Sequence, residues 1–177
     1  LLAGRHGRCC RFDENDARAL GRTASGVRGI NIDEDDEVIG MIAYDPTAED
    51  AQAHSLLVVS EHGYGKRSDF DEYRKTNRGG KGVKTLNITE KTGELVAMKN
   101  VTDENDLMII NRSGLTIRMS VADIKVAGRA TQGVRLINIK EGDAIAAISA
   151  VNKTEEDAPQ QIEENNVQPS DGFLDIV

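Results

Sequence analysis

The sequence predicts an all-β protein, a partial β-pinwheel in which propeller-like, four-stranded blades stand side by side. Three observations point there. Segments sharing one pattern recur at positions 22, 78 and 129, intervals of 56 and 51 residues. Apolar residues come in short runs parted by Gly-containing turns. The chain is 38% hydrophobic but only 3% aromatic, with three Phe, three Tyr and no Trp. A core drawn from Val, Ile, Leu and Ala suits thin β layers, and 177 residues suit one domain or a short array of repeated units.

The repeat aligns without gaps. Arg22-Thr23-Ala24-Ser25-Gly26-Val27-Arg28-Gly29-Ile30-Asn31-Ile32 matches Arg78-Gly79-Gly80-Lys81-Gly82-Val83-Lys84-Thr85-Leu86-Asn87-Ile88 and Arg129-Ala130-Thr131-Gln132-Gly133-Val134-Arg135-Leu136-Ile137-Asn138-Ile139. A second series keeps the same intervals: Gly7, Gly63 and Gly114, each followed four residues later by Arg11, Arg67 or Arg118. A third, Val38–Met41, Leu95–Met98 and Ile145–Ile148, fits with a one-residue slip. Self-similarity at about 50 residues is the mark of blade or solenoid arrays.

The last unit illustrates the strands expected in each. Leu107–Ile110 is an apolar run, and Asn111-Arg112-Ser113-Gly114 is a turn whose Gly can take positive φ. Leu115–Met119 returns as an alternating, β-branched strand. Ser120–Gly128 connects, with room for a helical turn, and Gly133–Ile139 and Ala144–Val151 supply two further strands of the same unit. Four strands in about 50 residues fit a propeller-type blade. Asp45–Ser55 is a polar insertion that lengthens the first interval. Leu1-Leu2-Ala3-Gly4 reads as the end of a strand, so the chain is expected to begin inside a larger protein, with no signal peptide and with upstream blades adding stability. No apolar run reaches the roughly 20 residues of a membrane helix.

Cys9 and Cys10 are adjacent, which suits neither a redox C-x-x-C nor a zinc pair, and both are read as strand residues in a reducing compartment. His6, His54 and His62 lack metal-ligand spacing. The formal charge is −8, from 22 basic and 30 acidic side chains. It is unevenly spread. From residue 152 onward Lys153 alone faces Glu155, Glu156, Asp157, Glu163, Glu164, Asp171 and Asp175, and this Gln- and Asn-rich stretch reads as a disordered acidic tail, 152–177, able to compete with a polyanion for the basic rim of a nearly neutral body, 1–151.

Basic residues recur with the repeat: Arg11, Arg67 and Arg118 on one strand, Arg22, Arg78 and Arg129 at the head of a Gly-containing loop, Arg28, Lys84 and Arg135 after the shared Val, with Lys66 and Lys81 added in the middle unit. Repeats related by a regular rotation place such residues along one edge, and a periodic cationic row matches a nucleic-acid backbone. The loop Arg78-Gly79-Gly80-Lys81-Gly82 has glycines that bring N–H groups close to an anion. With no aromatic platform beside it and no base-reading helix, contact with duplex backbone is expected, with preference from DNA shape. The same arginines also fit a solvated or salt-bridged face, given Asp13, Asp69, Asp71 and Asp123 in the adjoining connections.

At these residues the chain resembles the C-terminal domain of DNA gyrase A, through the repeated G-R-x-x-x-G-V-R-x-I-N-I pattern and Gly63-Tyr64-Gly65-Lys66-Arg67, over residues 1–151. The resemblance implies a six-bladed β-pinwheel that wraps duplex DNA, of which this chain holds about three blades and an acidic tail. The family's box, Q-[R/K]-R-G-G-[R/K]-G, is matched in its last five positions by Arg78–Gly82, with Thr76 and Asn77 in the first two, so this is a degenerate copy and the full box lies in an upstream blade. The resemblance further implies a bacterial, cytoplasmic, nucleoid-associated type II topoisomerase in which gyrase A joins gyrase B as an A2B2 heterotetramer, using Mg²⁺ and ATP through other domains. No cofactor, metal, membrane contact or catalytic residue is expected in this fragment, since Tyr44, Tyr64 and Tyr73 follow Ala43, Gly63 and Glu72 rather than the family's Arg. The corresponding protein of topoisomerase IV and a non-catalytic, propeller-like interaction scaffold are the alternatives.

Three other motifs carry no chemistry. Gly63–Arg67 lacks P-loop spacing. Asp33–Glu37 fails as a calcium loop because Val38 takes its sixth position and Tyr44 its twelfth. No Ser/His/Asp set or Cys/His pair recurs near a Gly-rich elbow, which leaves a hydrolase unsupported.

Overall fold

The computed structural model describes residues 1–153. They form eleven strands: β1 (Leu2–Gly4), β2 (Arg8–Cys10), β3 (Val38–Met41), β4 (Ser55–Ser60), β5 (Tyr64–Ser68), β6 (Val83–Lys84), β7 (Leu95–Val101), β8 (Asn105–Asn111), β9 (Thr116–Ser120), β10 (Val134–Arg135) and β11 (Ile145–Asn152). The rest is turns, extended connections and four single 3₁₀ turns, among them Phe70–Glu72 and Val121–Asp123. No helix among the described residues is long and apolar enough to cross a membrane.

The strands make three antiparallel sheets, ordered β3-β1-β2-β6, β10-β5-β4-β7 and β11-β8-β9. This corrects the expectation that each unit supplies all four strands of its own blade. The fourth strand is lent backward: β6, from the second unit, pairs with β2 of the first (Lys84 with Arg8, Val83 with Cys9). Likewise β10, from the third unit, pairs with β5 of the second (Arg135 with Tyr64, Val134 with Gly65). The lent strands are two residues long, not the seven of Gly133–Ile139, because the chain then turns away to cover the next blade. The tail boundary also shifts, since β11 runs through Asn152 and the Lys153 amide donates to Glu104 O at 3.3 Å. The tail proper, 154–177, lies outside the described residues.

Burial explains why the middle strands read as unbroken apolar runs. Every residue of β4 is buried. Its alternate side chains serve two cores: Leu56 and Val58 pack with Ala3, Cys9, Phe70, Tyr73, Leu86 and Leu95 between the first and second blades. Leu57 and Val59 pack with Leu107, Ile109, Val121, Ile124, Ile137 and Ile145 between the second and third. The core therefore lies between sheets, so each blade depends on its neighbour. β7 also touches β3 and β11, which sets these strands on the inner side of the array and β6 and β10 on the outer.

The joints are sealed at glycines. The Gly63 carbonyl accepts from Leu136 N at 2.8 Å, and the equivalent Gly7 carbonyl from Thr85 N at 2.8 Å. At φ +83°, a Cβ on Gly63 meets Ile137 O at 2.5 Å, whereas one on Gly114, φ +86°, meets nothing within 4 Å. Gly63→Ala is accordingly expected to cost about 2 kcal/mol or more, backbone strain plus a clash, and Gly114→Ala about 1 kcal/mol from strain alone. Paired urea titrations measure the difference; equal losses contradict this account of the joint.

Candidate nucleic-acid interface

The recurrent cations divide into two populations. One is turned inward across the joints. Arg11 Nη1 donates to Phe70 O at 2.8 Å and Tyr73 O at 3.1 Å, capping the carbonyls around a 3₁₀ turn of the next blade. Arg67, 7% exposed, repeats the contact one blade on, with Nε donating to Ile124 O at 2.7 Å and Nη1 pairing with Asp103. Lys66 is 1% exposed, and its Nζ donates to Gly128 O at 2.6 Å and also to Arg129 O. Its equivalents are Cys10, whose Sγ lies by Thr76 and Asn77 O, and Ile117. Lys66 and Arg67, expected along the binding edge, are thus placed inside, and Arg11 is half-buried. The physical reason is that a loop carbonyl buried in a joint needs a donor, and a long cationic side chain supplies one. Arg118, on β9, pairs with Asp106 at 2.7 Å.

The second population faces solvent. Arg28, Lys84 and Arg135 are all exposed, the last two on the outermost strands β6 and β10. Arg135 Nη2 donates to Tyr64 Oη at 2.8 Å and its Cζ stands 5.3 Å from the Tyr64 ring centroid. This bond, with Arg135 and Lys91 nearby, draws the Tyr64 phenol below its ordinary range. Lys84 Nζ reaches Asn87 Oδ1 at 3.3 Å. Arg22 and Lys81 are exposed. Arg78 and Arg129 are half-exposed and bridge consecutive units: Arg78 donates to Arg28 O at 2.5 Å and Asp16 O at 2.9 Å, Arg129 to Lys84 O at 2.9 Å. None of these outer cations forms an ion pair with a carboxylate among the described residues.

The glycine loop is placed differently from the expected anion cradle. Gly79 N donates to Gly29 O at 2.8 Å, Gly80 O accepts from Asn31 N at 2.9 Å, and Gly82 lies against Cys9 O. These glycines let the crossing chain lie flat on the preceding unit.

Sequence reasoning missed one row. Arg18, Arg74 and Lys125 recur at the same 56 and 51 intervals, are exposed, and make no side-chain hydrogen bond or ion pair among the described residues. Constant spacing alone could have found them. Arg8 was also missed; it is exposed and donates to Lys81 O at 3.0 Å and Gly82 O at 2.8 Å, holding the loop.

No group of three or more His, Cys, Asp or Glu that could hold a metal occurs among the described residues. Burial pushes the Cys9 thiol up to about 12, so it stays protonated and inert.

A family model described as DNA gyrase C-terminal domain, beta-propeller matches residues 1–45, 54–102 and 105–152, one stretch per repeat, and passes over most of the polar insertion. The DNA gyrase A protein of Staphylococcus epidermidis is 45% identical over 156 residues, 88% of this chain and 17% of that protein. The DNA gyrase A protein of Staphylococcus aureus is 44% identical over 165 residues, 93% of this chain and 18% of that protein. Among solved structures, the C-terminal domain of DNA topoisomerase IV superposes with a TM-score of 0.74 at 20% identity, over 85% of this chain and 46% of the other. A DNA gyrase A C-terminal domain gives 0.70 at 21%, over 84% and 49%.

Burial lowers the Lys66 ammonium to about 8, below its ordinary 10.5. Below pH 8 both folded and unfolded chains carry the proton; between about 8 and 10.5 the unfolded chain binds more, so this group's contribution to stability rises with pH. Lys66→Met is expected to abolish that rise, read as the difference between wild-type and variant urea midpoints at pH 7 and 9.5. A difference that does not change with pH contradicts the buried charge.

Proposed function

This chain belongs to the DNA gyrase C-terminal domain family, and on that premise we propose that its outer face binds duplex DNA and bends it from blade to blade. The observation that carries the reading is the set of exposed cations that recur at the repeat interval, Arg28, Lys84 and Arg135 with Arg18, Arg74 and Lys125, none spent on a carboxylate among the described residues. A solvated scaffold face of interleaved ion pairs looks different: here the carboxylate partners go to residues such as Arg5, Arg67, Lys75 and Arg118. An uncompensated, periodic row matches phosphates, whose binding releases counterions and requires no base contact.

The chain spans 17–18% of the length of the curated relatives it matches. Within a protein of that length it serves as the DNA-wrapping module of an ATP-dependent topoisomerase, beside the rest of gyrase A and together with gyrase B in an A2B2 heterotetramer of the bacterial cytoplasm, with Mg²⁺ and ATP handled by other domains. The identity of 44–45% to proteins named gyrase A supports gyrase over topoisomerase IV. In this reading Lys81, Arg22, Arg78 and Arg129 add to the track, Arg78 and Arg129 being bonded to Arg28 O and Lys84 O of that row. Arg11, Lys66 and Arg67 support it by fixing blade to blade, and Arg118 by tying β9 to Asp106 of β8 within the third blade.

Replacing Arg28, Lys84 and Arg135 together by Gln is expected to weaken duplex binding equally across sequences and to flatten the slope of log K against log salt by roughly 0.9 per lost phosphate contact, about 3 in all. Fluorescence anisotropy over a salt series measures it. An unchanged slope, or affinity independent of salt in the wild type, removes the outer row from the interface.

A further inference from the structure

The second and third units meet at a cavity of about 320 Å³ where the outer strand β10 ends. Tyr64 and Lys91 line it from the second unit, and Arg135, Lys140, Glu141 and Asp143 from the third. Tyr64 is 5% exposed, so its ring is fixed, and two cations gather on it. Arg135 Cζ stands 5.3 Å and Lys91 Nζ 5.5 Å from the ring centroid. Arg135 Nη2 donates to Tyr64 Oη at 2.8 Å and Nη1 to Asn138 Oδ1 at 3.3 Å, which sets the plane of the guanidinium and leaves a second N–H on each nitrogen. Lys91 and Lys140 are exposed, and neither forms an ion pair with a carboxylate among the described residues. Of the two lining carboxylates, Glu141 is exposed and Asp143 is occupied. Asp143 accepts from Ser113 N at 3.1 Å, Ser113 Oγ at 2.7 Å, Asn111 Nδ2 at 2.8 Å and Ala144 N at 2.9 Å. Three cations drawn to one fixed place repel one another, and an anion between them relieves that repulsion. The first joint is built differently. At the 56 and 51 intervals it carries Arg8, Asp35, Lys84 and Thr89 in the places of Tyr64, Lys91, Arg135 and Lys140. Asp35 there stands 3.8 Å from His6, and the Arg8 guanidinium is turned to Lys81 O and Gly82 O. The gathered cations are therefore a property of the second joint and not of the repeat.

We propose that this cavity binds a phosphate group, Lys91, Arg135 and Lys140 holding it jointly and Tyr64 serving as the positioning residue that fixes Arg135. A guanidinium whose plane is set offers directed N–H bonds to phosphate oxygens, while the two lysines act as point charges. The inference rests on the outer face as the face that meets DNA, and it goes further. The grip is concentrated at the joint of the second and third blades, and two lysines outside the recurrent row contribute to it. The phosphate belongs either to the duplex backbone or to a free phosphate compound; the chemistry of recognition is the same for both.

Lys91→Gln combined with Lys140→Gln, both at exposed positions, tests this in the 177-residue chain. Where the duplex supplies one shared phosphate, the double variant flattens the slope of log K against log salt by roughly 0.9. Two lysines each on a phosphate of its own remove about 1.8 instead, which overturns the shared site. Calorimetric titration with pyrophosphate identifies the source. Binding heat in the wild type that is lost in the double variant assigns the cavity to a free phosphate compound, and a slope change without such heat assigns it to the DNA backbone. Tyr64→Phe keeps the ring and removes the hydroxyl; it is expected to weaken the probe that binds, duplex or pyrophosphate, about fivefold, and to have no effect once Arg135→Gln is present. A loss that persists in that background is structural and overturns the role given to Tyr64. A double variant that changes neither the slope nor the pyrophosphate heat overturns the proposal. The reading of the outer face is then judged separately by Arg28→Gln with Lys84→Gln, which touch no residue of the cavity.

Discussion

Everything in this fold depends on a two-residue strand lent from one repeat to the sheet of the repeat before it. The contact is short, yet it decides where the core lies, because the chain that follows β6 or β10 turns inward and delivers Leu86 or Ile137 into the space between two blades. Glycine is required on both sides since backbone meets backbone there: Gly63 under Ile137 O, Gly133 against Gly65 O. A side chain at either place separates the sheets and opens the apolar layer between Leu57, Val59, Leu107 and Ile109. The array is thus held by nearest-neighbour joints, as repeat proteins are.

The same joint sorts the charges. An unsatisfied buried carbonyl costs about 1–3 kcal/mol, and the chain crossing between blades presents those of the buried Tyr73 and Ile124, with the more open Gly128 and Arg129 beside them. Arg11, Arg67 and Lys66 answer them from inside. The strand that crosses carries its own cation, Lys84 or Arg135, to the far edge of the sheet, where no carboxylate among the described residues awaits it. Stapling and presentation are therefore two results of one geometry. Arg78 and Arg129 do both, their guanidinium groups spanning two units along the outer face.

Much of this was legible in the sequence. Recurrence of Gly-Val-basic and of Gly with a following Arg identified the repeat, and Leu56–Val59 and Leu107–Ile110 the central strands. The turn at Gly114 and the 3₁₀ turn at Val121–Asp123 fell where expected. Strand lending was not visible, because local pattern marks a segment as extended without saying which edge it joins. For the same reason Lys66 and Arg67 looked like rim residues: Gly-Lys-Arg reads as surface, and only the opposing carbonyls of the next blade draw these side chains in. The row Arg18, Arg74 and Lys125 was hidden for a plainer reason. It sits in connections where little else repeats beyond an acidic residue two places earlier, Asp16, Glu72 or Asp123, so spacing is the main signal.

The central claim is that successive Gly-Val-basic segments set one cation per repeat on a single continuous track. Cysteine placed singly at Arg28, Lys84 and Arg135 and coupled to a photoactivated crosslinker reads that track directly, since the native Cys9 and Cys10 are buried. Mapped on one end-labelled duplex, the three adducts are predicted to fall at three separate positions in the order 28, 84, 135. Adducts at one shared position, in scrambled order, or from a single blade alone contradict the account.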